Sequence, residues 1–234
     1  MKQIRVLVAC ECSGRVKTAF RERGFDAWSC DLKPSEIPDD KFHIQGDVLP
    51  LLTPEWDLLI AHPPCTYLTV TANRWYLPEY KGRYPNRAQD RLNAIRFFLD
   101  FYTYKIPNIC IENPVGVMSS VFRKPDQYIQ PWQFGDRAVK KTGLWLKKLP
   151  LLVPTSIVEP EYKVFNSGTH KSGKSKYPML WAGKRDKTAR SRTFQGIANA
   201  MATQWGDYLK AVVSPCPPST ATRQRGEWDE DSLR

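Results

Sequence analysis

Nothing in this chain approaches the roughly 20 consecutive apolar residues that a membrane-spanning helix requires, so no membrane association is expected. Paired C-x-x-C spacing is missing too. The six cysteines stand at 10, 12, 30, 65, 110 and 216. Their two short pairings, Cys10 with Cys12 and His62 with Cys65, both fall at the ends of strand-like runs, so neither a metal site nor a disulfide framework is expected. The N-terminus MKQIRVLVAC enters an apolar run directly, without a signal-peptide pattern, and a cytoplasmic location is expected. No internal repeat is visible. Acidic residues are nearly absent from 163–192, where nine Lys/Arg face the single acid Asp186 and supply +8 of the chain's net +11. Phe165, Tyr177 and Trp181 are interleaved with these charges. That pattern suits a polyanion-binding surface, with Lys171, Lys174 and Lys176 as backbone-contacting candidates.

What is present describes one globular domain. The chain has 234 residues, 41% of them hydrophobic and 12% aromatic, enough for one well-cored unit over 1–213 with a short basic variable segment at about 150–192. The tail from 214 to 234, SPCPPSTATRQRGEWDEDSLR, is poor in apolar residues and is expected to be disordered. IRVLVA (4–9), FDAWSC (25–30), HIQGDV, WDLLIA (56–61), NICIE (108–112) and TGLWL (142–146) read as strands. Helical periodicity appears in Val16, Ala19 and Phe20, in Ala88, Leu92, Ile95, Leu99 and Tyr102, and in Ile197, Met201, Trp205 and Tyr208. Strands alternating with helices predict an α/β, Rossmann-like fold, a mainly parallel sheet with helices on both faces.

The chemistry gathers at the predicted strand ends. Cys10-Glu11-Cys12-Ser13-Gly14 leads from the first strand into a helix, a turn where backbone can approach a ligand and the helix N-terminus can face an anion. The second strand ends on Asp31, placed to take two ribose hydroxyls, and the third on Gly46-Asp47, able to accept from an exocyclic amine. The fourth ends on His62-Pro63-Pro64-Cys65, where a proline pair stiffens the backbone beside a thiol. The fifth ends on Glu112-Asn113-Pro114. The first three ends describe an adenosine pocket and the last two a reacting cleft beside it.

In order, ACECSGRVKTAFRERGFDAWSCDL, GDV, HPPCTYL, IENP and RTFQGIANAMATQW resemble the cytosine-5 DNA methyltransferases that use S-adenosylmethionine, over roughly residues 4–208. QPWQFGDRAVKKTGLWLKKLP and SRTFQGIANAMATQW are similar to a small, phage- or prophage-like branch of that family. The resemblance implies the Rossmann-like methyltransferase fold, with Cys12, Ser13 and Gly14 in the cofactor loop, Asp31 at the ribose and Asp47 at the adenine. Pro63 and Asn199 would complete the cofactor site, and Cys65 would be the nucleophile that adds to carbon 6 of cytosine. Glu112 would be the cytosine-binding acid, kept protonated by burial. Asn113 and a basic residue of QFGDRAVKK (Arg137, Lys140 or Lys141) would meet the substrate. The implied partner is DNA, as a duplex with a flipped base or as a single strand, and no obligate protein partner is evident.

The chain departs from the family pattern at several places. Cys10 and Glu11 replace an aromatic residue and glycines, Thr66 stands where glutamine is common, and Asn113-Pro114 replaces Asn-Val. Only about forty residues separate TGLWLKKLP from SRTFQG, where full-length relatives carry a large target-recognition region. Three other readings stay open at this stage. One is an amino-methyltransferase, whose (Asp/Asn/Ser)-Pro-Pro-aromatic motif HPPC partly matches. Another is related cysteine chemistry on a free nucleotide or with a group other than methyl. The third is a DNA-binding relative without catalysis.

Overall fold

A computed structural model describes residues 3–166, 174–178 and 191–213. Its central sheet has seven strands: β1 (Arg5–Ala9), β2 (Asp26–Asp31), β3 (His43–Gln45), β4 (Leu58–Ala61), β5 (Asn108–Pro114), β6 (Gln127–Ile129) and β7 (Thr142–Lys147). Their spatial order is β3-β2-β1-β4-β5-β7-β6. The five strands from β3 to β5 pair in parallel, and β7 runs antiparallel between β5 and β6. The expected α/β Rossmann-like fold is therefore present. The expected strand TGLWL is present as β7, whereas β6 goes beyond the sequence reading, because a three-residue strand such as QYI leaves too short a pattern to see.

Buried parallel strands are apolar on both faces, and alternate residues separate the two cores. Val6 and Val8 face one core with Val16, Ala19 and Phe20 of α1 (Arg15–Glu22). Ile197, Met201 and Trp205 close the same core from the C-terminal helix Gln195–Val213. Leu7 and Ala9 face the other, with Leu59, Ile109 and Phe98 and Phe101 of α2 (Arg87–Thr103). A four-residue helix, α3 (Met118–Val121), follows β5, which makes the C-terminal helix α4. None of the described helices is long and apolar enough to cross a membrane.

Within the basic segment, β8 (Tyr162–Asn166) and β9 (Lys174–Pro178) form a separate antiparallel hairpin. Lys174 and Lys176 fall on β9. Lys171 and the tail 214–234 lie outside the described residues.

The order β2-β1-β4-β5 places a topological switch between β1 and β4. Chain leaving β1 crosses to one side and chain leaving β4 to the other, opening a crevice at the carboxyl ends where α/β proteins bind ligands. Cys10–Gly14 follows β1 and His62–Cys65 follows β4, so both turns meet at that crevice. The His62 amide donates to the Ala9 carbonyl at 3.0 Å, which ties the two turns together.

Candidate active site

The turn after β1 is held by its own side chains. Cys10 has φ 59°, a left-handed conformation rare for a residue with a β-carbon, and such positions store on the order of 1–3 kcal/mol. Gly14, at φ 68°, is the N-cap of α1, and a β-carbon there would lie 2.5 Å from Ile37 Cδ1. Glu11, 5% exposed, turns its carboxylate back onto the helix, accepting from Val16 N at 2.8 Å and Lys17 N at 3.2 Å. Ser13 Oγ donates to the same carboxylate at 3.2 Å. The anion expected at this helix end is thus supplied from within the chain. Beneath it, Lys17 and Asp40 form a buried ion pair, with side-chain exposures of 2% and 5%.

Asp31 and Asp47 come together beside this turn. Burial pushes the Cys10 thiol well up, and Asp31 and Asp47 push it further; Cys30 is raised to about 11 by burial and then by the same two carboxylates. Each aspartate uses one oxygen on nearby backbone: Asp31 Oδ1 accepts from Lys33 N at 2.9 Å and Asp47 Oδ1 from Leu49 N at 3.1 Å. Cys12 Sγ lies 3.9 Å from Glu36 Oε1.

The turn after β4 is fastened to the strand that carries Glu112. Asn113, 2% exposed, donates from Nδ2 to the Pro63 carbonyl at 2.8 Å. The Cys65 carbonyl accepts from Leu68 N and Thr69 N at 3.0 Å each, and Cys65 itself is exposed. Beyond it, Val70 N donates to Val115 O at 3.1 Å and Val117 N to Leu68 O at 2.8 Å. A β-carbon on Gly116 would collide with the Leu68 carbonyl, so this close crossing requires glycine.

His62 Nδ1 stands 2.8 Å from Glu112 Oε2, with side-chain exposures of 9% and 13%. Burial pushes the Glu112 carboxyl up, but the hydrogen bond from His62 and the charge of Lys140 pull it down further, to about 2. The protonated Glu112 expected from burial alone is corrected: the resting site holds a carboxylate, because a hydrogen-bonded imidazole and a nearby ammonium outweigh desolvation. Glu112 also lines a small cavity with Lys140, Thr142, Thr193 and Phe194.

The remaining sequence candidates contact groups of the protein itself. Asn113, expected at the substrate, has its amide engaged on the protein's own backbone. Arg137 reaches outward to Glu161 at 3.3 Å, and the Lys141 ammonium sits 4.5 Å from the Tyr128 ring centre, which leaves Lys140 as the basic residue at Glu112. Asn199, expected at the cofactor, lies on the exposed side of α4 and accepts from Gln195 Nε2 at 2.9 Å. Among the described residues, no group of three or more His, Cys, Asp or Glu is arranged to hold a metal ion.

Sequence reasoning overlooked Glu11 as a cap, although an acid just upstream of a helix's first turn is a usable signal. It also passed over the stretch following Cys65. There the Arg87 guanidinium lies 5.1–5.5 Å from the rings of Tyr67, Tyr76 and Tyr84, and Arg91 lies 3.5 Å from Tyr76. Basic and aromatic residues alternate over 67–91 much as they do in 163–192, and the same criterion would have found them.

The chain matches no protein-family model and no curated protein sequence. Among solved structures it is similar to an E. coli protein described as a DNA modification methyltransferase encoded within prophage Cp, at 16% identity and TM-score 0.42, covering 67% of this chain and 52% of that one. It is also similar to the Entamoeba histolytica methyltransferase EhMeth, at 13% identity and TM-score 0.40, covering 70% and 59%. The chain thus spans only about half to three-fifths of the length of these two proteins. Likeness at this level carries no functional inference, which rests on the residues of the crevice.

Proposed function

We propose that the protein transfers a methyl group from S-adenosylmethionine to carbon 5 of cytosine in DNA through a covalent Cys65 adduct. The observation that carries this reading is the fastening of the Cys65 turn to the Glu112 strand, by Asn113 to Pro63 and by Leu68 and Val70 to Val117 and Val115. The turn that carries the nucleophile and the strand that carries the pyrimidine-binding carboxylate are tied together before any substrate arrives, which lowers the entropic cost of reaction.

The residues at the carboxyl ends of β1, β2 and β3 suit the cofactor. Asp31 and Asp47 would take the ribose hydroxyls and the adenine amine, and the Gly14 turn would admit the rest. A dinucleotide would bring its phosphates to the α1 N-terminus, where they would meet the Glu11 carboxylate at Val16 N and Lys17 N. A ligand with no phosphate and a cationic sulfur suits these acids better. When bound, S-adenosylmethionine supplies an electrophilic sulfonium methyl.

The chain's own residues then have defined tasks. Carbon 5 of cytosine is too weak a nucleophile unaided. The Cys65 thiolate adds to carbon 6 and makes carbon 5 electron-rich. Glu112 accepts from the exocyclic amine of the ring through one oxygen of its carboxyl group, and Lys140 keeps positive charge beside it. Water takes the carbon-5 proton, the freed electron pair re-forms the carbon 5–carbon 6 double bond, and the carbon 6–sulfur bond breaks to release the Cys65 thiolate. The base is unreachable inside a duplex, so it enters flipped out or from a single strand. The hairpin β8–β9 and the arginine–aromatic stretch 67–91 would face the nucleic-acid backbone.

The test is covalent trapping on DNA containing 5-fluorocytosine in the presence of S-adenosylmethionine. Fluorine cannot leave as a proton does, so the methylated adduct persists, and mass spectrometry is expected to locate it on the peptide containing Cys65. Cys65→Ala is expected to abolish it without loss of fold. Methyl transfer that survives Cys65→Ala would instead establish an amino-methyltransferase. Absence of both transfer and adduct, with DNA binding intact, would establish a binding protein.

A further inference from the structure

We propose that His62 supplies the proton that Glu112 passes to ring nitrogen 3 of the pyrimidine as Cys65 adds to carbon 6. The inference rests on the reading of the preceding subsection and adds a residue to it. Addition at carbon 6 drives negative charge toward nitrogen 3, which needs a proton at that moment. Glu112 alone has none to give, because the resting site holds it as a carboxylate.

The groups facing Glu112 are few. Thr142 hydrogen-bonds to it, Lys140 acts on it through charge, and the buried Cys110 lies on the same strand. Of the hydrogen-bonded partners, Thr142 is a hydroxyl with no acidity near neutral pH, and His62 is an imidazole with Nδ1 at 2.8 Å from Oε2. Its other nitrogen, Nε2, is buried and has no hydrogen-bond partner among the described residues. Among the described residues the ring therefore hydrogen-bonds to one side chain, Glu112.

The proton balance closes without another reagent. The step starts from the imidazolium–carboxylate form of the pair, the form that holds the proton to be passed on. Binding of the pyrimidine removes solvent from the cleft, which disfavours two separate charges and favours the neutral pair. The Nδ1–H bond breaks and an Oε2–H bond forms. Sγ of Cys65 then gives its electron pair to carbon 6, and the carbon 5–carbon 6 π pair becomes the carbon 4–carbon 5 bond. The former carbon 4–nitrogen 3 π pair takes the proton from Oε2. Glu112 returns to carboxylate beside a neutral His62, and departure of Cys65 carries the same proton back. His62 acts through Glu112, so it is a positioning residue that also holds a proton.

His62→Asn separates this role from a structural one, since Asn keeps an N–H able to reach Oε2 but cannot release it. The expected result is a fall in kcat of about 100-fold, the scale of one acid–base group, with KM for DNA and affinity for S-adenosylmethionine within about threefold of wild type. In the wild-type enzyme kcat is expected to fall as pH rises and the pair loses its proton. That alkaline limb is expected to vanish in His62→Asn, and trapping by 5-fluorocytosine DNA is expected to slow in parallel. A His62→Asn enzyme with wild-type kcat and an unchanged pH profile overturns the proposal, as does one that turns over slowly yet forms the adduct at the wild-type rate. If wild-type protein shows no Cys65-dependent transfer, the methyltransferase reading falls, and this one falls with it.

Discussion

At the amino ends of its strands the sheet pairs its polar groups with one another, whereas at the carboxyl ends it leaves several without a partner. Arg5 opens β1 with its amide donating to Asp57 at 2.9 Å, its guanidinium 3.4 Å from Asp26 and 3.0 Å from Glu55, and its plane over the Trp56 ring. Asn108, opening β5, donates to the Asp57 carbonyl at 2.8 Å. At the opposite end two carboxylates, Asp31 and Asp47, crowd the thiols of Cys10 and Cys30, and Cys10 takes a left-handed conformation. His62 Nε2 and Asn113 Oδ1 are buried there without partners among the described residues. Each such atom costs about 1–3 kcal/mol, a cost that binding of a ligand can offset. One end of the sheet satisfies its polar groups internally, and the other leaves His62 Nε2 and Asn113 Oδ1 for a ligand to meet.

Four substitutions test that contrast, beginning with the largest expected effect. Lys17→Met leaves Asp40 buried without its cation, and unfolding in urea is expected to show a loss of about 3–5 kcal/mol. This paired charge at the carboxyl end serves the fold, and a small effect would mean that the loop 32–42 gives way easily. Asp31→Ala is expected to weaken S-adenosylmethionine binding by about 1.5–3 kcal/mol in calorimetry, the scale of hydrogen bonds to a charged group. Its unfolding midpoint should stay at or above wild type, since two crowded carboxylates become one. A destabilised Asp31→Ala protein would break the contrast.

Glu112→Gln reports through pH. The folded-state value of about 2 lies below the ordinary 4.5, so the carboxylate's contribution is present above about 4.5 and is lost as pH falls toward 2. Wild-type urea midpoints are therefore expected to drop more steeply than those of Glu112→Gln across that window. Parallel curves for the two proteins would show that His62 does not stabilise the carboxylate. The smallest effect is expected at the amino end. Arg5→Gln removes partly exposed ion pairs worth roughly 0.2–1 kcal/mol, and cofactor affinity should not change.

Much of the fold was legible because its signals are local. Val6–Ala9, Leu58–Ala61 and Ile109–Ile111 are apolar runs long enough to mark buried strands, and Val16, Ala19 and Phe20 step at helical spacing. The Gly14 turn and the Cys65 turn stood out because Gly14 and the Pro63-Pro64 pair constrain the backbone wherever they occur. The strand β6 and the β8–β9 hairpin did not, because short polar strands exist only through a partner's hydrogen bonds.

The chain alone thus determined which strands form, which turns follow them, and that Cys65 and Glu112 both stand at strand carboxyl ends. Those features follow from periodicity and from backbone restriction, which act over a few residues. Tertiary structure decided which side chains meet. His62 and Glu112 are fifty residues apart, and only the pairing of β4 with β5 brings their side chains to 2.8 Å. The same packing directed Asn113 onto Pro63, sent Arg137 to Glu161, and left Lys140 beside Glu112. Protonation followed from those meetings: burial by itself pushes the Glu112 carboxyl up, and it is held down because an imidazole and an ammonium were folded against it.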